Sequence, residues 1–343
     1  MHDVIVVGGG PVGLATALYG ARAGLDVVVY ESRPGPVDKA CGEGLMPGAV
    51  ARLHALGVAL DGRPFTGIAY VDGANRAEGR FRNGPGLGVR RTTLHRALTA
   101  AVGDAGVPIV NERAGPPTLD GRGVVLGARR ARYLVAADGL HSPIRRRLGL
   151  DRPSSAAHRW GLRRHYRLAP WTDLVEVHWP VRTAAERTEA YVTPVADGLV
   201  GVAVLTERPG SFEDHLAVFP WLRDRLRAAP FGATLGAGPL RQRSRRRVDG
   251  PVLLVGDAAG YVDALTGEGI AVGLASAQAL IGCLQAGRPQ DYERQWLRCS
   301  RRYRALTSGL LWSRRRPRVA RAIVPAAARW PRLFTASVDQ LAR

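Results

Sequence analysis

The sequence predicts an α/β fold whose core is a dinucleotide-binding βαβ unit at the start of the chain. Residues 3–7 form a short β-branched apolar run, as buried parallel strands do, and three consecutive glycines end it. Small, helix-forming residues follow from Val12 to Ala23, and a second apolar run covers residues 25–30. This order of strand, tight turn, helix and strand is typical of a parallel sheet with crossover helices.

The later segments predict how the chain is divided. Helices are expected at residues 49–56, 91–102 and 269–284, and a buried strand at residues 252–255. Short strands are expected within residues 65–90 and 107–137, and residues 160–205 alternate as a meander. We therefore predict a discontinuous three-layer dinucleotide-binding domain (residues 1–60, 90–150 and 248–295), an inserted β-sheet substrate lobe (61–89 and 151–247) and a helical C-terminal segment (296–343). Pro317, Pro325 and Pro331 are expected to break that last segment into separate helices.

Length and composition exclude several classes of protein. A chain of 343 residues with 46% hydrophobic residues can bury a large core. Every apolar run is shorter than the roughly 20 residues of a membrane-spanning helix, and Asp3 is atypical of a signal peptide, so a cytoplasmic location is expected. Three cysteines without paired spacing indicate neither a disulfide framework nor a zinc site, and no metal is expected.

The formal net charge of +20 raises the question of a nucleic-acid partner. Arginine is spread over almost every segment instead of forming one stripe, and Lys39 is the only lysine. This distribution favours a solvated basic surface, and no nucleic-acid partner is expected.

The glycine turn has the spacing of a phosphate-binding loop. Gly8, Gly10 and Gly13 fit G-x-G-x-x-G, with Pro11 and Val12 at the start of the helix. In such a turn the helix N-terminus, with its free N–H groups, holds the pyrophosphate. Glu31 lies eighteen positions after Gly13, at the end of the second strand, where a carboxylate can accept hydrogen bonds from a ribose.

Two further segments follow predicted strands. Asp257 comes after the strand at 252–255, and Asp138 with Gly139 comes after the strand that ends near residue 137. Gly267, Gly269 and Ile270 open the next helix, whose positive end can stabilise negative charge on a bound ring.

These segments carry a resemblance to a known group of proteins. The glycine loop with Glu31, RTTLHRAL from Arg91, ADGLHSPIR at 137–145 and GDAAGYVDALTGEGI at 256–270 occur in the order seen in flavoproteins of the p-hydroxybenzoate hydroxylase fold. The resemblance extends to about residue 295. It implies an FAD-dependent oxidoreductase that takes its electrons from NADPH or NADH.

The resemblance also implies roles for individual residues. Arg91 and Asp257 would contact FAD, Asp138 and Gly139 would lie where FAD and nicotinamide contacts meet, and Cys41 with Gly42 would approach the isoalloxazine ring. From the residues alone, Cys41 is a packing thiol, a flavin neighbour or a redox partner. Free cysteines are most often small buried hydrophobic groups, which favours packing.

The resemblance is greatest for the geranylgeranyl reductase branch, through CGEGLMP at 41–47 and LTGEGI at 265–270. That branch carries an aromatic Y-x-W-x-F-P run, of which the corresponding residues 189–194 retain only Tyr191 and Pro194, and Ala264 replaces its usual proline. Flavin halogenases need a catalytic lysine and a W-x-W-x-I-P run. Here Lys39 precedes Cys41 and no such run occurs, which argues against a halogenase.

These features favour a monooxygenase of specialised metabolism. It would use NAD(P)H and O₂, added at the flavin C4a position as a hydroperoxide, to hydroxylate an aromatic or polyketide-like molecule. The alternative is a reductase of prenyl or polyene double bonds. His165, His178 and Tyr191 on the expected substrate sheet are the candidate catalytic groups, although each also fits an ordinary sheet residue.

The C-terminal segment mixes arginine with leucine, tryptophan and phenylalanine. Such a composition suits peripheral contact with anionic lipid, and it equally suits helices that pack on the flavin domain. The oligomeric state stays open.

Overall fold

The computed structural model describes residues 1–153, 158–180, 187–227 and 230–342. Its strands are β1 (His2–Val7), β2 (Val27–Tyr30), β3 (Gly44–Leu45), β4 (Arg63–Phe65), β5 (Gly67–Val71), β6 (Arg76–Arg80), β7 (Gly86–Gly88), β8 (Ile109–Val110), β9 (Thr118–Leu119), β10 (Val124–Leu126), β11 (Arg129–Ala136), β12 (Trp160–Tyr166), β13 (Leu174–His178), β14 (Thr188–Ala196), β15 (Leu199–Thr206), β16 (Pro230–Ala237), β17 (Val248–Asp249) and β18 (Val252–Leu254). Its α-helices are α1 (Pro11–Arg22), α2 (Pro47–Ala55), α3 (Arg91–Asp104), α4 (Pro143–Arg147), α5 (Phe212–Leu216), α6 (Pro220–Arg225), α7 (Gly269–Gln285), α8 (Asp291–Arg314), α9 (Pro317–Arg329) and α10 (Pro331–Ala342). Gly256–Ala259 form a 3₁₀ helix.

The first sheet is the predicted dinucleotide-binding sheet. Its strands follow the order β17-β18-β11-β1-β2-β8, and the neighbours from β18 to β8 are all parallel. β10 and β9 extend it from β11 as an antiparallel meander. Helix α1 packs on β1 and β2 and contacts both α3 and α7. This arrangement confirms the α/β fold class, and the carboxyl ends of four central strands share one edge of the sheet.

The second sheet has seven strands in the order β16-β12-β15-β14-β13-β5-β6. Alternate side chains of β14 separate its two sides. Ala190 and Val192 pack with Phe212 and Phe219 of the α5–α6 region, on what we call the back face. The opposite side, which carries Tyr191, is the front face. β5 and β6 join this sheet from an earlier part of the chain, while the predicted domain boundaries stay a prediction.

Helices α8, α9 and α10 cover the front face. Pro317 and Pro331 occupy the first turns of α9 and α10, where a missing N–H costs nothing. The prediction that Pro325 breaks the chain is wrong, because Pro325 lies inside α9. Pro325 is exposed. Water can therefore donate a hydrogen bond to the carbonyl four residues earlier, which lacks its helical N–H donor. No helix of the described ranges is long and apolar enough to cross a membrane.

The back face holds a buried ionic group. Arg76 donates to the Glu176 carboxylate at 2.6 Å, and the Nε2 atom of His178 lies 3.1 Å from its other oxygen. Trp221 Nε1 donates to His178 Nδ1 at 2.9 Å, so His178 presents its Nε2 proton to Glu176. Burial alone would raise the pKa of Glu176, but the hydrogen bonds from His178 and Arg76 and the charge of Arg76 lower that pKa to about 2.

Glu176 therefore links stability to pH. Since its folded-state pKa lies below the ordinary 4.5, the carboxylate contributes stability above pH 4.5 that is lost as the pH falls towards 2. Replacing Glu176 with Gln should lower the free energy of unfolding at neutral pH by about 2 kcal/mol and flatten its decline in acid. Urea unfolding between neutral and acid pH measures both effects. The exposed Glu112, changed to Gln, is the control, and equal pH profiles in the two variants would contradict the assignment.

Candidate functional site

The glycine turn after β1 has the close contacts of a phosphate-binding loop. Gly8 has φ +109°, and a Cβ atom there would lie 2.4 Å from the carbonyl oxygen of Ala137. A Cβ atom at Gly13 would lie 1.9 Å from the Gly8 oxygen, so a larger residue would push α1 off the sheet. At Gly10 the nearest atom to such a Cβ is Arg91 Nη2, at 4.0 Å. The loop is thus open only towards the N-terminus of α1, with a guanidinium beside it.

Acidic and glycine residues follow the other parallel strands at the same edge. Glu31 follows β2, Asp138 and Gly139 follow β11, and Asp257 follows β18. In open parallel sheets, ligands bind in the crevice beyond these carboxyl ends. The structure therefore brings together the predicted groups that sequence reasoning had found in four separate segments.

Glu31 is held in its charged form. Its carboxylate accepts from the Gly9 amide at 2.9 Å and from the Arg33 side chain at 2.9 Å. Burial would raise the pKa of Glu31, but the bonds and charge of Arg33 and the Gly9 amide lower it overall. An anionic acceptor at the end of β2 suits two ribose hydroxyls.

Hydrogen-bonding groups of Arg91, Asp138 and Asp257 remain available for a ligand. Arg91 Nε and Asp138 Oδ1 are buried without a hydrogen-bond partner. Burial raises the pKa of both Asp138 and Asp257. Lys39, which the sequence did not indicate as a cofactor-binding residue, lies beside Gly139. Its Nζ atom is 3.5 Å from the position that a Cβ atom of Gly139 would take. Orphaned donors and acceptors around a glycine-lined cleft fit a charged dinucleotide.

The ring-facing side of the cleft is built from two loops. Gly267 has φ +69°, and a Cβ there would lie 3.1 Å from the Met46 methyl carbon. The loop of residues 265–268 therefore meets the loop of residues 41–46, which we call the CGEG loop. Gly269 and Ile270 open α7 at this point, and a Cβ at Gly273 in its second turn would lie 2.4 Å from Val12 at the start of α1. A reduced flavin bound here would meet the positive end of α7.

Cys41 is a thiol, not a thiolate, at neutral pH. Burial, followed by the negative charge of Glu43, raises the pKa of Cys41 to about 11. The neighbouring Gly42 carbonyl accepts a hydrogen bond from Thr193 Oγ1 at 2.7 Å. This geometry favours the packing interpretation of Cys41 over a redox role.

A buried cluster that the sequence did not reveal anchors the CGEG loop. Glu43 has φ +56°, in the region that favours glycine, and its carboxylate accepts from the Arg91 amide at 2.8 Å. Its other oxygen lies 2.6 Å from His165 Nε2. Arg163 Nη1 lies 3.0 Å from His165 Nδ1. Because the guanidinium can only donate, His165 is neutral at Nδ1 and donates its Nε2 proton to Glu43.

The three catalytic candidates do not meet at one point. His165 lies on the front face but is 1% exposed and is held between Arg163 and Glu43. His178 is buried on the back face against Trp221. Tyr191 alone has its hydroxyl at the flavin-facing loops, where it donates to the Leu265 carbonyl at 3.2 Å.

A second buried network closes the front face. Arg159 bonds Asp263 at 3.0 Å and pairs with Glu189, while Arg314 at the end of α8 bonds Glu189 and Glu207. The network ties α8, the seven-stranded sheet and the loop before α7 to one another. Its partners are up to 125 positions apart in sequence, so no local pattern could have indicated it.

The fold and the site define a flavoprotein with a dinucleotide cleft, and comparisons with known proteins agree. A family model described as FAD dependent oxidoreductase matches residues 3–55, and one described as FAD binding domain matches residues 122–229. The chain is 30% identical to the menaquinone reductase of Mycobacterium tuberculosis, over 86% of this chain and 78% of that protein. It therefore belongs to the family of FAD-dependent oxidoreductases that contains that reductase, and FAD is its cofactor.

Other relatives differ in the reaction that they are named for. The chain is 29% identical to 3-amino-4-hydroxybenzoate 2-monooxygenase of Streptomyces cremeus, over 85% of this chain and 82% of that protein. It is also 29% identical to digeranylgeranylglycerophospholipid reductase 1 of Methanothermobacter thermautotrophicus, over 85% and 81%.

Solved structures share the fold. A flavoprotein/dehydrogenase from Cytophaga hutchinsonii matches 98% of this chain and 96% of its own, with a TM-score of 0.79 and 19% identity. A flavin-dependent brominase matches 99% of this chain and 93% of its own, with a TM-score of 0.83 and 17% identity. At these identities the likeness concerns the fold alone.

We predict that Glu31 holds the adenosine ribose of FAD. Replacing Glu31 with Ala should weaken FAD binding on the order of 10- to 100-fold, since it removes a charged hydrogen-bond acceptor. Titration of apoprotein with FAD, followed by flavin fluorescence, measures the loss. Glu112, which follows the neighbouring β8 and is exposed, gives the matched Ala control. Equal affinities of the two variants would refute the role of Glu31.

We also predict that His165 positions the CGEG loop. His165→Leu leaves the Glu43 carboxylate without its side-chain donor, so unfolding should become easier by about 1–3 kcal/mol and the bound-flavin absorption spectrum should change. His165→Gln keeps an N–H donor and should restore both properties in part. A His165 that acts instead as a base on the substrate would leave stability and the spectrum unchanged and lower only turnover.

Proposed function

We propose that this chain is an FAD-dependent reductase that saturates a carbon–carbon double bond in an apolar, prenyl-type substrate. The observation that carries the proposal is the apolar composition of the front face beside the flavin-facing loops. Met46, Phe65, Trp179, Val177 and Phe334 belong to one buried cluster there, which we call the front cluster. Met46 also belongs to the CGEG loop and lies beside Gly267, so the cluster adjoins both loops of the ring-facing side.

The composition of the front cluster suits contact with a hydrocarbon chain. Tyr70 packs its ring against Trp179 at 5.3 Å and against Phe334 at 4.8 Å between centroids. Aromatic and aliphatic walls with few polar groups bind a substrate through burial of apolar surface, with little ability to orient a charged one.

The two tyrosine hydroxyls of the front cluster carry their protons at neutral pH. Burial raises the pKa of Tyr70 to about 12 and raises that of Tyr191 well above its ordinary 10. His165 is held between Arg163 and Glu43, so both of its ring nitrogens already have partners. Hydroxylation of a phenol is helped by a base that takes the phenolic proton. A double-bond reduction needs the opposite, a group that supplies a proton, and protonated phenols favour it.

The reaction balances with the parts named. FAD held in the cleft by Glu31, Arg91 and Asp257 would, once reduced by NADH or NADPH, provide the hydride for one carbon of the double bond. The other carbon takes a proton, NAD(P)H becomes NAD(P)⁺, and the product gains two hydrogens. We assign Tyr191 as the protic group, because its hydroxyl reaches the Leu265 carbonyl at the flavin-facing edge of the cluster. Water restores the proton to the phenol.

Relatives support the order of the two candidate functions. The relative with 30% identity is named for reduction of menaquinone, and another for reduction of a digeranylgeranyl phospholipid, both of which are prenyl compounds. The monooxygenase favoured in the sequence analysis stays the second candidate, because one relative of 29% identity is named 3-amino-4-hydroxybenzoate 2-monooxygenase.

Oxygen distinguishes the two functions. The FAD-loaded protein, reduced with NADH or NADPH, is mixed with menaquinone without oxygen and, separately, with 3-amino-4-hydroxybenzoate under ¹⁸O₂. After the product has been extracted and its quinone ring reoxidised in air, we expect mass spectrometry of the anaerobic sample to find menaquinone with two additional hydrogens in its prenyl side chain. Label from ¹⁸O₂ in the aromatic product, without anaerobic reduction of menaquinone, would replace the reductase with the monooxygenase.

Variants of the two tyrosines locate the chemistry in that experiment. Tyr191→Phe should keep FAD and its reduction by NAD(P)H but lose at least about tenfold in product formation, the smallest effect typical of a missing proton donor. Tyr70→Phe removes a hydroxyl from the same cluster without touching Leu265 and should stay near wild type. An equal loss in both variants would contradict the role of Tyr191.

A further inference from the structure

We propose that the outward surface of helices α8 to α10 docks onto an anionic lipid bilayer. We call this surface the terminal face. Its exposed apolar side chains are Trp312, Val319, Trp330 and Leu333, and its exposed arginines are Arg315, Arg316, Arg318, Arg321, Arg329 and Arg332. The proposal concerns where the protein binds, and it holds for either of the two candidate reactions.

Charge is the first observation. Between Glu293 and Asp339 the sequence contains twelve arginines and no carboxylate, although the whole chain has 29 carboxylates in 343 residues. Elsewhere, surface arginines such as Arg130 and Arg132 pair with Asp120 and Asp3. Among the described residues, the six arginines of the terminal face form no ion pair with a carboxylate. They are free to meet an external anionic surface.

Exposed apolar surface is the second observation. Nine large hydrophobic residues are exposed in the described ranges, and six of them lie between residues 297 and 333. Trp312, Trp330 and Leu333 are 54%, 58% and 66% exposed. The Arg316 guanidinium lies 3.7 Å from the Trp312 ring centroid, which pairs a cation with an aromatic ring at the surface. Tryptophan beside arginine is the composition that lipid headgroup regions favour.

Helices α9 and α10 pack on the protein through other residues than those of the terminal face. Val324 of α9 and Phe334 and Val338 of α10 are buried in the front cluster. On α9, Arg318 and Arg329 point away from Val324 by their helical spacing, and Arg321, one turn before Val324, is exposed at the edge of the buried side. A bilayer at the terminal face would therefore lie one helix thickness from the front cluster.

Charge also selects the lipid surface over other occupants. A second copy of the chain, docked symmetrically, would bring six arginines against six arginines, whereas an anionic bilayer neutralises them. A nucleic acid would be attracted by the arginines, but duplex phosphates would leave the exposed Leu333 and Val319 in water. An anionic bilayer satisfies both the charged and the apolar residues.

The test measures vesicle binding of the FAD-loaded full chain. Co-sedimentation uses vesicles of phosphatidylglycerol mixed with phosphatidylcholine, and vesicles of phosphatidylcholine alone. We expect tight binding to the mixed vesicles only. The triple variant R318Q/R321Q/R329Q should bind on the order of 10- to 100-fold more weakly. The triple variant R122Q/R147Q/R223Q removes the same charge from exposed arginines elsewhere and should bind like wild type.

The apolar contribution has its own control. Trp330→Ser with Leu333→Ser should weaken vesicle binding by at least about tenfold, while Leu119→Ser, at a residue 56% exposed on β9, should not. Bound FAD and circular dichroism verify that each variant is folded. If the two triple arginine variants lost vesicle binding equally, net charge alone would explain the binding and the proposal would be overturned. Two other results would also overturn the proposal. In one, the terminal-face variants bind vesicles like wild type but change the sedimentation coefficient, which would indicate a second copy of the chain. In the other, they bind vesicles like wild type but lose RNA binding, which would indicate a nucleic acid.

Discussion

The arrangement of the site depends on the hydrogen bonds that the buried Glu43 carboxylate accepts. This carboxylate accepts the Arg91 amide at the start of α3 and the His165 ring on β12, so it joins the cofactor domain to the substrate sheet. To reach both, Glu43 takes φ +56°, a conformation that costs free energy outside glycine. Buried hydrogen bonds to a charged group can offset that cost. The CGEG loop, which would face the flavin ring, is fixed as a result.

The second constraint is the ionic network around Glu189 and Arg314. Both residues are buried, and a buried charge is tolerated only when it is paired. Through Arg159 and Asp263 the network also reaches the loop that precedes α7. The helices that cover the front face are therefore coupled to the loop that would contact the flavin. A lipid surface bound outside and a hydrocarbon bound inside would share the same helical wall.

The two sides of the seven-stranded sheet give similar residues different roles. His178 faces the back, where Glu176 and Trp221 fix its tautomer, and it contributes stability. Tyr191, on the adjacent strand, faces the front and reaches the Leu265 carbonyl. Strand side chains alternate, so a shift of one position decides between packing and chemistry. The face on which each side chain lies, more than its residue type, therefore favours a reductase over a hydroxylase that uses a histidine base.

The sequence by itself indicated the cofactor cleft, because its signals are local: Gly13 is required by its contact with the Gly8 carbonyl within the turn, and Glu31 and Asp257 follow their strands within three residues. It could not determine which face of the substrate sheet points to the flavin, since a strand's register is set by partners far away in the chain. It also gave no sign of the Glu43–His165 pair, whose members are 122 positions apart. Only tertiary packing brings such groups together, because burial and charge pairing are properties of the folded chain.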